Sequence, residues 1–422
     1  MAEDFAIERV GKCAFHSPLD SGVFINDSEG VLIDATLSGL KKVQVNPYIF
    51  EKAGPRETIF FNPKISTAAL VTCGGLCPGL NDVIRALVMV LWYRYGVKEI
   101  FGLRYGYRGL ITSLKHVPIM LNPEIVEDIH KDGGTILGTS RGLQDTSSMV
   151  DSLVERKIDI LFTIGGDGTQ KGALAINEEI KKRGLPISVI GIPKTIDNDL
   201  SFTERTFGFE TAVAMSQAPI TGAHMEAKGV ENGIGIVKLM GRESGFIATF
   251  ASLASSDVNL VLIPEVPFSL DKVFTYLKER IIRKNHAVIV VAEGVGQQHV
   301  PVEGFDESGN KKLGDIGPFL KRTIRDYLRS QGIPAQVKYL DPSYSIRSAP
   351  ATPDDSVFCF QLAANAVHAA MSGRTGMVVG LWNGHFVHIP ILLCVKERKK
   401  IDTSSLLWQS VLDNTGQPRN LA

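Results

Sequence analysis

The chain of 422 residues exceeds one ordinary domain, so two lobes with extensions are expected. Hydrophobic residues make up 44% and charged residues 21%, an ordinary globular balance, and Lys+Arg equal Asp+Glu at 45 each. That neutrality, with no basic stripe and no aromatic residues interleaved among the basic ones, speaks against a nucleic-acid partner. The five scattered cysteines (Cys13, Cys73, Cys77, Cys359 and Cys394) form no disulfide framework and fit a reducing compartment. Cys73 and Cys77 have no second Cys or His pair nearby, so zinc is not expected. The start, MAEDFAIERV, is acidic and lacks the order of a signal peptide. Apolar stretches such as Leu87 to Trp92 are too short to span a bilayer. A cytoplasmic location with no membrane partner is expected.

Residues 1–65 are irregular, with turn signals at Asn46-Pro47 and Gly54-Pro55, and are expected to form an N-terminal extension. From Ser66 a repeating order begins. Ser66 to Thr72 (STAALVT) reads as a strand that breaks into Gly74-Gly75-Leu76-Cys77-Pro78-Gly79, and a helical pattern covers Asp82 to Tyr95. Ile158 to Ile164 leads into Gly165-Gly166-Asp167-Gly168-Thr169 and a helix from Gly172 to Lys182. Ser188 to Ile192 leads into Pro193-Lys194-Thr195-Ile196-Asp197-Asn198-Asp199. Gly235 to Leu239 leads into Met240-Gly241-Arg242-Glu243-Ser244-Gly245. Asn259 to Ile263 ends at Pro264, Ala287 to Ala292 ends at Glu293-Gly294, and Met377 to Leu381 is one more short run. Short apolar runs alternating with helical patterns predict an α/β fold of parallel sheets covered by helices. The polar signatures follow the strands, where open α/β sheets bind their ligands.

A glycine turn between strand and helix lets backbone approach a phosphate and aims N–H groups and the helix dipole at it. Gly74-Gly75 and Gly165-Gly166 both fit, and neither has the GxxxxGK[ST] or GxGxxG spacing. Asp167 would repel an anion unless a cation lies between, and Mg²⁺ held by a carboxylate plus substrate phosphates supplies one. Asp197 and Asp199 form either an Asx-turn with solvated acids or a base for a hydroxyl proton beside a second acid. Lys194 places a positive charge next to them. Arg242 is a phosphate clamp, a transition-state charge or a surface arginine. The Glu293 carboxylate can accept from sugar hydroxyls, and Lys338 with Tyr344-Ser345-Ile346-Arg347 forms a third basic group. Separated cationic sites beside acidic turns suit a phosphorylated, hydroxyl-rich substrate.

Taken in order, GGLCPGLN, GTSRG, GGDGT, PKTIDND, MGRESG, AEG and DPSYSIR resemble the phosphofructokinase family from about Ser66 to the Gly380 region. Ala53-Gly54-Pro55-Arg56-Glu57 and the PKTIDND form resemble the ATP-dependent plant and trypanosomatid branch. The resemblance implies two Rossmann-like lobes. A nucleotide-binding lobe would span 66–208 with 347–395, and a sugar-phosphate lobe 209–346. The extension 1–65 and a C-terminal tail, 396–422, would complete the chain. It implies that Gly75, Arg141, Gly142, Gly166, Asp167, Gly168 and Thr169 hold the nucleotide, with Asp167 on Mg²⁺. Asp197 would be the base on the 1-hydroxyl of fructose 6-phosphate, Thr195 and Ile196 would line the transfer site, and Arg242 would stabilise the moving phosphoryl group. Met240 and Gly241 would shape the sugar pocket, Glu293 would bind hydroxyls, and Lys338, Tyr344, Ser345, Ile346 and Arg347 would take the 6-phosphate. The family's usual form is a homotetramer, sometimes a dimer. Tyr344 stands where bacterial members carry His, Lys338 where they carry Arg, and Gly233 where an arginine reaches the neighbouring subunit's substrate.

Two positions bear on the phosphoryl donor. Pyrophosphate-dependent members carry Asp at the position of Gly168 and Lys at that of Lys194. An Asp at 168 would put charge and bulk in the space of the nucleotide's α-phosphate, whereas a flexible lysine serves either donor. The plant and trypanosomatid ATP enzymes share this Gly-plus-Lys combination, so ATP is the expected donor and pyrophosphate the alternative. GGDGT also occurs in NAD kinases and diacylglycerol kinases, which lack the remaining motifs. A non-catalytic sugar-phosphate or nucleotide sensor is the non-enzymatic alternative.

Overall fold

The computed structural model describes residues 5–20, 22–36, 48–142, 144–305 and 311–422. They form two compact units, one of Met1–Thr195, Leu200–Gly208 and Ser348–Arg398, the other of Ile196–Asp199, Phe209–Arg347 and Lys399–Ala422. The first is built on a nine-stranded sheet in the order Gly30–Leu32, Ile49–Lys52, His385–Pro390, Met377–Trp382, Ser188–Pro193, Ile160–Gly165, Thr67–Thr72, Glu99–Leu103 and Ile119–Met120. The five strands from Met377–Trp382 to Glu99–Leu103 are parallel, and antiparallel strands finish both edges. Every residue of Ile160–Gly165 and Ser188–Pro193 is buried, which is why these runs are continuously apolar rather than alternating. Helices Asp167–Lys182 and Pro353–Met371 pack on this sheet, and Leu80–Met89 packs against Pro353–Met371.

The second unit has a four-stranded, wholly parallel sheet in the order Leu260–Leu262, His286–Ala292, Gly233–Leu239, Gln336–Leu340. Helices Phe209–Lys228, Phe246–Ser255, Leu270–Lys284 and Ile316–Ser330 belong to it. Among the described residues no helix is long and apolar enough to cross a membrane.

Several boundaries differ from the expected ones. The helix expected from Gly172 begins at Asp167, because GGDGT is at once the turn and the first helical turn. The helix expected from Asp82 to Tyr95 starts two residues earlier, and its last part, Val90–Tyr95, widens into a π-turn that stops at Gly96 with φ 83°. The segment expected as a separate tail, 396–422, divides at Arg398. Beyond it the Gln417 amide accepts from Val261 N–H at 2.7 Å and donates to Val261 O at 3.2 Å, so this segment completes the edge strand of the second unit.

Residues 1–65 contribute to the first unit's sheets through Glu8–Arg9, Gly30–Leu32 and Ile49–Lys52. Arg56 of the AGPRE motif is the buried anchor. Its guanidinium donates to Asp27 Oδ1 at 2.9 Å, Glu51 Oε1 at 3.0 Å, Gly54 O at 2.9 Å and Lys52 O at 2.8 Å. Arg374 reaches the same two carboxylates from the far end of the chain. Removing one partner of a buried charge held in this way would be costly, because it would leave the rest of the cluster uncompensated.

Candidate active site

Register in the first unit sets the phosphate side. Thr72 pairs with Ile164 and Gly165 with Pro193, so Gly74-Gly75, Gly166–Thr169 and Lys194 leave the same ends of three adjacent strands. Gly166 caps the helix Asp167–Lys182, and its carbonyl accepts from the N–H groups of Thr169 and Gln170. The earlier N–H groups of this first turn have no intrahelical acceptor and form an anion cradle at the positive end of the helix. Any Cβ on Gly165 would lie 2.1 Å from Thr169 Oγ1, so the strand must end in glycine for the helix to begin there. Gly168 is exposed, and nothing lies within 4 Å of its Cβ position.

Lys194 is buried and donates from Nζ to Gly75 O at 2.7 Å, lying across the Gly74-Gly75 turn. Arg141 Nη2 comes within 3.2 Å of the Cβ position of Gly75. The loop that carries it is tied down where Gly74 N–H donates to Ser140 O at 3.0 Å and Thr139 Oγ1 donates to Gly74 O at 2.7 Å. Gly142 follows Arg141 with φ 94°, and the Thr195 carbonyl accepts from Thr206 Oγ1 at 2.6 Å. Asp167 pairs with Lys171 at 2.9 Å and lies 3.8 Å from Arg398. Among the described residues no group of three or more His, Cys, Asp or Glu side chains could hold a metal ion. One carboxylate at a phosphate cradle fits Mg²⁺ shared with ligand phosphates and does not fit a protein-only metal centre.

Neighbouring strand ends in the second unit assemble a different group. Leu239 pairs with Ala292, which sets the Met240–Gly245 turn beside Glu293-Gly294, and Gly294 N–H donates to Gly241 O at 3.0 Å. Backbones approach so closely that a Cβ on Gly294 would sit 1.8 Å from Arg242 O. Gly241 itself has φ 128°, a conformation open to glycine. The Ile196–Asp199 turn docks here. Asp197 Oδ2 accepts from the Arg242 N–H at 3.5 Å, and the Asp197 carbonyl accepts from Ser244 Oγ at 3.4 Å. Asp197 keeps some exposed surface, yet its Oδ1 is shut away from solvent with no hydrogen-bond partner. Burial, then the nearby carboxylates of Asp199 and Glu293, push its pKa up to about 7, against the opposing Arg347 charge and the Arg242 N–H. Arg347 lies 3.7 Å from Glu293.

The structure thus gathers Asp197, Gly241, Arg242, Glu293 and Arg347 in one unit, and Gly75, Arg141, Gly166 to Thr169 and Lys194 in the other. Met240 and Ile346 are buried supports, while Tyr344 and Ser345 are exposed on the short helix Ser343–Arg347. Lys338 is ion-paired with Glu226, and the Arg242 guanidinium donates to the Lys311 carbonyl. Two supporting residues escaped the sequence reading. Lys238, the lone charge in the strand Gly233–Leu239, bridges Asp315 at 3.0 Å and Asp341 at 2.9 Å, anchoring the residues before Tyr344. A single lysine within an apolar strand was the available signal. Glu265 Oε1 accepts from Gly245 N–H at 3.0 Å and Ile401 N–H at 2.9 Å, closing the Arg242 turn; nothing local in the sequence marks it.

A model of the phosphofructokinase family matches residues 67–370. The chain is 47% identical to an ATP-dependent 6-phosphofructokinase of Borreliella burgdorferi, over 98% of this chain and 97% of that one. It is also 47% identical to an ATP-dependent 6-phosphofructokinase of Trypanosoma cruzi, over 88% of this chain and 78% of that one. A solved structure of a pyrophosphate-dependent phosphofructokinase from Marinobacter aquaeolei matches with a TM-score of 0.68 over 83% of this chain and 91% of the other; at 20% identity it speaks for the fold alone. With motifs, parallel sheets and relatives in agreement, the chain belongs to the phosphofructokinase family.

Proposed function

We propose that this chain is an ATP-dependent 6-phosphofructokinase, moving the γ-phosphoryl group of ATP to the 1-hydroxyl of D-fructose 6-phosphate. The products are fructose 1,6-bisphosphate and ADP. The observation that carries the reading is the Asp197 carboxyl, whose Oδ1 is buried without a partner; burial and the carboxylates of Asp199 and Glu293 push its pKa up to about 7. A base poised near neutral pH can take the hydroxyl proton as the phosphoryl group transfers. The full-length likeness to relatives named as ATP-dependent enzymes supports the donor.

In this reading Gly75, Arg141, Gly142 and the Gly166–Thr169 cradle bind the donor phosphates. Mg²⁺ held by Asp167 together with those phosphates would neutralise their charge. The Arg242 backbone N–H holds Asp197 in place, and its guanidinium would stabilise charge on the transferring group. Glu293 accepts from sugar hydroxyls, and Arg347, with Lys338, Tyr344 and Ser345, takes the 6-phosphate. Thr195 and Ile196 line the transfer site beside Asp197. A homotetramer, or a dimer, and a cytoplasmic location complete the proposal.

Pyrophosphate as donor is the second reading, favoured by Lys194. The Lys194 ammonium is engaged by Gly75 O, which supports reading it as a clamp on the glycine turn rather than as a donor selector. A coupled assay with fructose 6-phosphate separates the readings. Turnover with ATP and Mg²⁺ and little with pyrophosphate is expected. The reverse preference would establish the second reading, and turnover with neither donor would favour the sensor.

A further inference from the structure

Gln170, the last residue of IGGDGTQ, is fully buried and is given no part in the chemistry above. Its Nε2 donates to two backbone carbonyls, Gly165 O at 3.0 Å and Ile192 O at 3.3 Å. These carbonyls belong to the closing residues of adjacent parallel strands, Ile160–Gly165 and Ser188–Pro193. One strand delivers the Gly166–Thr169 cradle, and the other delivers Lys194 and Thr195. Lys194 N–H also donates to Gly165 O at 3.0 Å, so the two strand ends meet on one acceptor. Room for the amide comes from a glycine: a Cβ on Gly191 would lie 2.2 Å from Gln170 Oε1. That Oε1 is buried with no hydrogen-bond partner.

An orphaned buried acceptor is costly, so apolar packing alone would favour a leucine here. The polar side chain therefore does something that packing does not require. We propose that Gln170 is a positioning residue for phosphoryl transfer, its amide locking the donor-phosphate cradle to the Lys194-Thr195 segment. The proposal rests on the phosphofructokinase reading of the site. When the amide is lost, the cradle can shift relative to Lys194 and Thr195, and small misplacements of reacting groups cost rate steeply.

Gln170→Leu and Gln170→Met keep the size of the side chain and remove both donors along with the orphaned acceptor. The two stability changes oppose each other, so the melting temperature is expected to move by only a few degrees. Wild type and both variants would be assayed in parallel for kcat and for the KM of each substrate. The expected result is a fall in kcat of roughly 10- to 100-fold with the KM for fructose 6-phosphate nearly unchanged. Either folded variant retaining kcat within about twofold would overturn the proposal, as would failure of both to fold, which would make Gln170 a structural brace. Wild type inactive on fructose 6-phosphate with both ATP and pyrophosphate would instead refute the phosphofructokinase reading, and the proposal would fall with it.

Discussion

Asp197→Ala and Asp197→Asn are expected to lower kcat by about 10²–10⁴-fold while leaving the KM for fructose 6-phosphate within a few-fold of wild type. The carboxylate accepts a proton only as the phosphoryl group moves, so its loss removes stabilisation of the transition state more than ground-state binding. Stability should not confuse the result. Burial raises the folded-state pKa of Asp197 from the usual carboxylate value to about 7. The folded state therefore holds the proton more tightly than the unfolded chain, and this group's contribution to stability falls as pH rises through that interval. Above pH 7 the wild type carries a buried ionised carboxylate that Asp197→Asn lacks, so the variant should melt no lower there. A variant with nearly full kcat would exclude Asp197 as the base.

Gly168→Asp is expected to lower kcat/KM for ATP by roughly 10²-fold, as the few kcal/mol of a like-charge clash imply. The exposed first-turn position has nothing within 4 Å of its Cβ site, so the fold accepts the side chain. An acid in a first helical turn, replacing glycine, should leave the melting temperature unchanged or slightly higher. Stability and ATP use are thus predicted to part company. Unchanged ATP kinetics would refute the view that an empty position 168 admits the nucleotide.

Much of the fold was legible because parallel strands covered on both faces are continuous apolar runs, as in Ile160–Gly165 and Ser188–Pro193. The order of glycine and acidic turns after those runs carried the family resemblance, which the relatives bear out. Other features depend on contacts that local pattern does not encode. The helix start at Asp167 was hidden because glycines signal a turn even when they also supply a helical first turn. The strands Gly30–Leu32 and Ile49–Lys52 are too short to show periodicity, and Arg56, Asp27 and Glu51 meet Arg374 from more than three hundred residues away. The Glu226 partner of Lys338 lies far away in the sequence and no local pattern marks it. Gln170 drew no reading from the sequence, since its role rests on two carbonyls and the missing side chain of Gly191.

The base we propose for this enzyme is a carboxyl held near neutral pKa by burial, Asp199 and Glu293. The pH dependence of kcat/KM for fructose 6-phosphate, measured for wild type and Asp197→Asn, tests it most directly. Wild type should rise with unit slope below about pH 7 and level off above it, as a base that must lose its proton requires. That limb should be missing from the residual activity of Asp197→Asn, whereas a limb arising from the substrate's own phosphate would persist. A wild-type profile flat from about pH 5.5 to about 8.5, or the same limb in both proteins, would exclude Asp197 as the base.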